Sequence, residues 1–139
     1  MIIIDATNLI LGRMATVVAK KSLLGEEVVL INCSKAVLTG DKKKILAKFK
    51  RKREMGAPLR GPYIHRQPDK IVKRTIRGML PYKQPKGIDA FKRIKCYVNI
   101  PESLLDKKAE TIPEADVSKV KNTTYLPIGT ISKFLGAKI

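Results

Sequence analysis

IIIDATNLILGRMATVVAKKSLLGEEVVLINC, residues 2–33, decides the fold. Its two ends, Ile2–Asp5 and Val28–Cys33, are short apolar runs, and a continuous run such as VVLINC suits a strand covered on both faces. Between them Gly12–Leu24 carries Met14, Val17, Val18 and the Leu23-Leu24 pair at helical spacing. Gly25 stands where a helix ends in a left-handed conformation. Strands joined through a helix return parallel, so the chain is read as α/β. Ala36–Thr39 is read as a third short strand.

Beyond this unit the pattern changes. Asp41 is an N-cap candidate for a helix over 42–54, KKKILAKFKRKRE, whose only apolar stripe is Ile45, Leu46 and Phe49. Residues 56–68, GAPLRGPYIHRQP, hold two Gly and three Pro and read as an irregular loop. Pro68-Asp69 then opens a second helix, with Val72, Ile76, Met79 and Leu80 on a core-facing stripe. Lys70, Lys73, Arg74 and Arg77 lie on the opposite side at i, i+3, i+4, i+7, with no acid among them. PYKQPKG, 81–87, reads as another loop, and Ile94, Cys96, Val98 and Ile100 alternate as a strand that Pro101 ends. TISKFLG, 130–136, reads as a short helix with Thr130 as cap and Gly136 as stop. With no internal repeat and no low-complexity linker, residues 1–139 are expected to form one domain.

Charge narrows the function. The formal net charge is +17, and residues 42–95 hold 19 of the 29 Lys and Arg but three of the 12 acids, a net +16. Charge for solubility alone is spread and mixed in sign. Concentrated charge points to a polyanion, and inside a cell that means nucleic acid before membrane surface. No run of about 18 apolar residues suggests a membrane span. Asp5 cuts the opening apolar run short, so a signal peptide is not expected. Cys33 and Cys96 lie far apart in apolar strand-like runs and read as reduced core thiols of a cytoplasmic protein.

The search for catalytic chemistry yields little. There is no glycine-rich phosphate loop. LGRMA at 11–15 opens a helix after a strand, and Asp5 and Asn8 lie near that strand's carboxyl end. Turn formation and capping account for Asp5, Thr7 and Asn8 as well as a ligand does. His65 is the only histidine, with no Ser, Cys or acid beside it, and suits contact with a base or phosphate. No His/Cys spacing suggests zinc and no carboxylate cluster a two-metal centre, so no metal, cofactor, small-molecule substrate or catalytic residue is expected. Cations spread over two helices and two rigid loops suit folded RNA better than duplex DNA, and no helix-turn-helix, zinc-finger or basic-zipper pattern is present. Tyr63 and Tyr82 within those loops either stack on splayed bases or cover the domain's own core edge.

IDATNLILGRMATVVAKKSLLGEEVVLINCSKAVLTG at 4–40, RGPYIHRQP at 60–68 and RTIRGMLPYK at 74–83 resemble the large-subunit ribosomal protein L-thirteen family, nearest its archaeal and eukaryotic branch. The resemblance implies a three-layer α/β/α fold around a four-stranded, mainly parallel sheet, with basic helices and loops attached. It implies a non-catalytic constituent of the large ribosomal subunit that binds large-subunit ribosomal RNA, lies beside other ribosomal proteins and supports subunit assembly. RNA contact in that family is associated with basic helices and loops, here 42–53, 60–66 and 73–86. With the acid-free face, the candidate RNA-binding residues are Lys42, Lys43, Lys44, Lys48, Lys50, Arg51, Lys52 and Arg53. In the loops and second helix they are Arg60, Tyr63, His65, Arg66, Lys70, Lys73, Arg74, Arg77, Tyr82, Lys83 and Lys86.

Overall fold

A computed structural model describes residues 1–121 and 124–139. The opening stretch folds as β1 (Ile2–Asp5), α1 (Leu11–Leu23) and β2 (Val28–Ile31). Gly25, at φ +101, ends α1, and the Gly25 and Glu26 amides donate to the Ser22 and Lys21 carbonyls. β1 and β2 pair in parallel, Ile2 opposite Val28. β4 (Ile94–Cys96) pairs in parallel on the far side of β2, giving the order β1-β2-β4.

That parallel sheet has three strands where the family resemblance implies four. β3 (Val37–Thr39) makes a single parallel bridge, Val37 to Ile10, and otherwise pairs antiparallel with β5 (Tyr125–Pro127) in a second, two-stranded sheet. At the edge of β1, among the described residues, Glu110 alone pairs: its amide donates to the Ile3 carbonyl and its carbonyl accepts from Asp5. Pro113, which lacks an N–H, then opens a short 3-10 turn over Pro113–Ala115, and the pairing goes no further.

The pleat sorts the core. Ile4, Val28, Leu30 and Ile94 face the larger apolar cluster, which also takes in Met14, Val18, Val72, Ile76, Ile128, Ile131 and Leu135. Ile3, Val29 and Ile31 point the other way and are covered by Leu104, with Ala109 packed alongside. Every helical side chain in either cluster belongs to the larger one, except Leu104 in a 3-10 turn over Glu102–Leu104. One face of the sheet is therefore roofed by helices and the other by a turn and irregular chain.

Several boundaries differ from the sequence reading. β2 stops at Ile31 because Asn32 turns left-handed at φ 56, so Cys33 sits in a 3-10 turn over Cys33–Lys35 rather than in a strand. The strand read to Ile100 ends at Cys96. Within the segment read as loop lies a helix, α4 (Pro85–Lys92), with Pro85 at its first turn. The last helix, α5, spans Ile128–Phe134, so Thr130 is inside it and Pro127 takes the cap position. Gly136 does follow it with positive φ, at 89.

Candidate nucleic-acid interface

Two helices carry most of the charge. α2 (Lys42–Glu54) starts as expected, the Asp41 carboxylate accepting from the Lys43 amide at 3.2 Å. No α2 residue is fully buried; Ile45, Leu46 and Phe49 alone rest against the core. Lys42, Lys43, Lys44, Lys48, Lys50, Arg51, Lys52 and Arg53 are all exposed.

α3 (Pro68–Gly78) is more sharply two-sided. Val72, Ile76 and Leu80 are buried as expected, and Ile71 joins them. Met79 does not. It is the C-cap residue, 42% exposed, with its sulfur 3.6 Å from the Thr16 hydroxyl.

On the opposite side of α3, Lys70 and Arg74 are exposed and Lys73 and Arg77 half-buried. Aromatic rings hold the half-buried pair. The Lys73 ammonium lies 4.9 Å from the centre of the Phe91 ring, and the Arg77 guanidinium 5.1 Å from that of Tyr82. Arg74 Nη1 donates to the Tyr63 carbonyl at 3.3 Å. None of these contacts neutralises charge. Among the described residues, the one ion pair that involves any candidate cation is Lys50–Glu54, exposed and 4.0 Å long.

His65 comes from the loop before α3 and joins Lys70, Lys73, Arg74, Arg77 and Phe91 around a recess of about 100 Å³. His65 and Arg74 also line a larger cavity of about 350 Å³ with Phe49 and Lys52 of α2 and Ile64 of the loop. The structure thus brings α2, the loop and α3 to one place. Arg60, Lys83 and Lys86 are exposed outside both recesses. Arg66 has a structural share: its carbonyl accepts a hydrogen bond from Ser132 of α5, and its guanidinium lies near Gly136.

Tyr63 is 68% and Tyr82 44% exposed, and the Tyr63 hydroxyl donates to the Leu59 carbonyl at 2.6 Å. Phe49 and Phe91 line these recesses, and the sequence reading did not assign them to the candidate site. Their signal was an aromatic ring inside a basic run, but only the fold shows which cation each ring meets. Arg93, in the same basic segment, donates to the Ser22 carbonyl at 3.2 Å, beside the end of α1.

The other candidate corner is a turn. Asp5 Oδ1 accepts from the Thr7 amide at 2.9 Å, the Thr7 hydroxyl at 2.7 Å and Asn32 Nδ2 at 3.1 Å. Burial pushes the Asp5 carboxyl up, but those hydrogen bonds and nearby Lys35 outweigh it and hold the carboxyl below its ordinary value. The start of α1 is covered by Pro113–Ala115, with the Ile10 amide donating to the Ala115 carbonyl at 2.7 Å. Both cysteines are free thiols, and a hydrogen bond with Cys96, then burial, pushes the Cys33 thiol up. Among the described residues no cluster of metal-binding side chains occurs and no helix is long and apolar enough to cross a membrane.

Residues 1–103 match the family model for ribosomal protein L13. The large ribosomal subunit protein uL13 of Methanosarcina barkeri is 45% identical over 139 residues, covering 99% of each chain. The protein of the same name from Methanocaldococcus jannaschii is 46% identical over 142 residues, again 99% of each. That from Archaeoglobus fulgidus is 42% identical over 135 residues, 96% of this chain and 86% of its own.

Proposed function

The chain belongs to the ribosomal protein L13 family, and from that premise we propose that it is a structural constituent of the large ribosomal subunit, held there by contact of its basic face with large-subunit ribosomal RNA. It acts as one unit over residues 1–139, without catalysis, in the cytoplasm, and supports assembly of the subunit. The observation that carries this reading is the acid-free face of α3, set against α2 and the loop between them, with one exposed ion pair to a candidate cation among the described residues. Such a face pays a repulsive cost in the free protein, and a polyanion removes it.

The cations sit on a helix face, a second helix and an irregular loop. That arrangement favours RNA recognised by shape and backbone. Outside 42–95 the chain is nearly neutral and leaves Tyr97, Ile100 and Leu105 exposed, a surface suited to neighbouring ribosomal proteins. The test is sedimentation of the native protein with large subunits through a moderate-salt wash, with binding to a ribosomal RNA fragment under competition. Retention, with ribosomal RNA preferred over duplex DNA, supports the reading. Release on washing, with equal binding to duplex DNA, makes the protein a general polyanion binder.

A further inference from the structure

The 350 Å³ cavity and the 100 Å³ recess share a wall, His65 and Arg74, yet differ in chemistry. The cavity is walled mainly by apolar side chains, Phe49 of α2, Met55, Pro62 and Ile64 of the loop and Ile71 of α3, with Lys52 and Thr75 completing it. The recess is lined by Lys70, Lys73 and Arg77 over the Phe91 ring. We propose that together they form a seat for one extruded RNA nucleotide: an unpaired base enters the apolar cavity and its phosphate occupies the cationic recess. This rests on the reading of the face as an RNA surface, and adds that the face takes up a base as well as backbone.

The pairing of chemistries selects the ligand. A phosphate alone needs no apolar chamber, and an apolar side chain from a partner protein needs no ring of cations next to it. A nucleotide has a flat apolar body joined to an anion. The larger cavity lies at the lower end of the roughly 300–1,000 Å³ range of small-ligand sites. Turning a base out of its stack costs least where it is already unpaired, so the seat selects a bulge or loop nucleotide over a helical one.

The loop that carries Met55, Ile64 and His65 into these chambers is braced before any ligand arrives. The Ala57 carbonyl accepts from the Arg60 and Gly61 amides, both at 3.1 Å, and the Tyr63 hydroxyl fastens to Leu59. Gly56, at φ +83, lies so close to the Gly61 carbonyl that no Cβ fits there. Arg74, tied to the Tyr63 carbonyl, is fixed between the two chambers.

Two measurements on the protein bound to a large-subunit ribosomal RNA fragment test the seat. Short-wave ultraviolet crosslinking of the wild-type complex, read by peptide mass spectrometry, should give nucleotide adducts on Phe49, Met55, Ile64 or His65. Thr75→Met fills the cavity from α3; Thr75 is half-buried and its hydroxyl donates to the Ile71 carbonyl one turn back within the helix, so folding is retained. Affinity should fall about 5- to 150-fold, the loss that goes with one base stack, while its slope against salt stays unchanged because no phosphate contact is removed. Adducts confined to residues outside the cavity, or wild-type affinity in Thr75→Met, overturn the seat and leave the RNA face standing. Absence of salt-dependent binding by the wild-type protein instead overturns the reading beneath it.

Discussion

Ile76→Ala is the perturbation that tests the packing of α3. Ile76 is fully buried in the larger apolar cluster, on the side of the helix opposite the cations. The change removes three carbon atoms, at ~0.8 kcal/mol for each buried group about 2.4 kcal/mol of transfer free energy. A void adds ~24 cal/mol for every Å³ that the neighbours fail to fill, so the total should reach about 3–4 kcal/mol. β4 and α1 both pack against α3, which limits collapse. In a chain of this size that lowers the melting temperature by roughly 10–15 °C. Urea and thermal melts of the variant are the assay, with Met79→Ala as control, since Met79 is substantially exposed. A loss below about 1 kcal/mol for Ile76→Ala, or an equal loss in both variants, would refute the assigned helix phase.

Three further outcomes follow from other parts of the molecule. Gly87→Ala in α4 should cost at least about 1–3 kcal/mol, because the new Cβ meets the Pro81 carbonyl, whereas Gly12→Ala in α1, facing open space, should be neutral or slightly stabilising; melts compare the two. Asp5 has a folded pKa below its unfolded value near 3.8, so its contribution is present above that pH and lost as pH falls through the folded value. Asp5→Ala should therefore cost about 1–3 kcal/mol at pH near 7 and much less in strong acid; a cost that does not change with pH removes the carboxylate from the account. Cys33 and Cys96 should alkylate only on unfolding or slow opening, Cys96 ahead of Cys33, and a native mass lacking the two thiol hydrogens would contradict free thiols.

What was legible in the sequence follows the range of the forces involved. The β1-α1-β2 unit is local: two buried runs, one amphipathic helix and Gly25 leave little choice. The fate of β3 is not local, because Val37–Thr39 reads the same whether it joins the parallel sheet or pairs with Tyr125–Pro127. α4 was hidden by Pro85 and Gly87, which look like turn punctuation. Pro85 instead stands at a first helical turn, and Gly87 is demanded by the approach of the Pro81 carbonyl. Met79 fits the helical stripe on paper, but at the C-cap its side chain lies against Thr16 and stays exposed while Leu80 is buried. The basic face was readable as spacing within a helix. Its aromatic supports, Phe91 beneath Lys73 and Phe49 across the cavity, needed the fold.

The central claim is that the α3 cations meet RNA phosphates rather than bulk water. Replacing Lys73, Arg74 and Arg77 together by Gln keeps the helix and its apolar side. Loss of the ring contacts of Lys73 and Arg77 should cost about 1–2 kcal/mol in all, which melts would register separately. Affinity for a large-subunit ribosomal RNA fragment is then measured at several salt concentrations for both proteins. Each phosphate contact contributes roughly 0.7–0.9 to the logarithmic salt slope, so the variant should bind more weakly, with a slope shallower by on the order of two. A folded variant with the wild-type slope would contradict the claim and leave this face merely solvated.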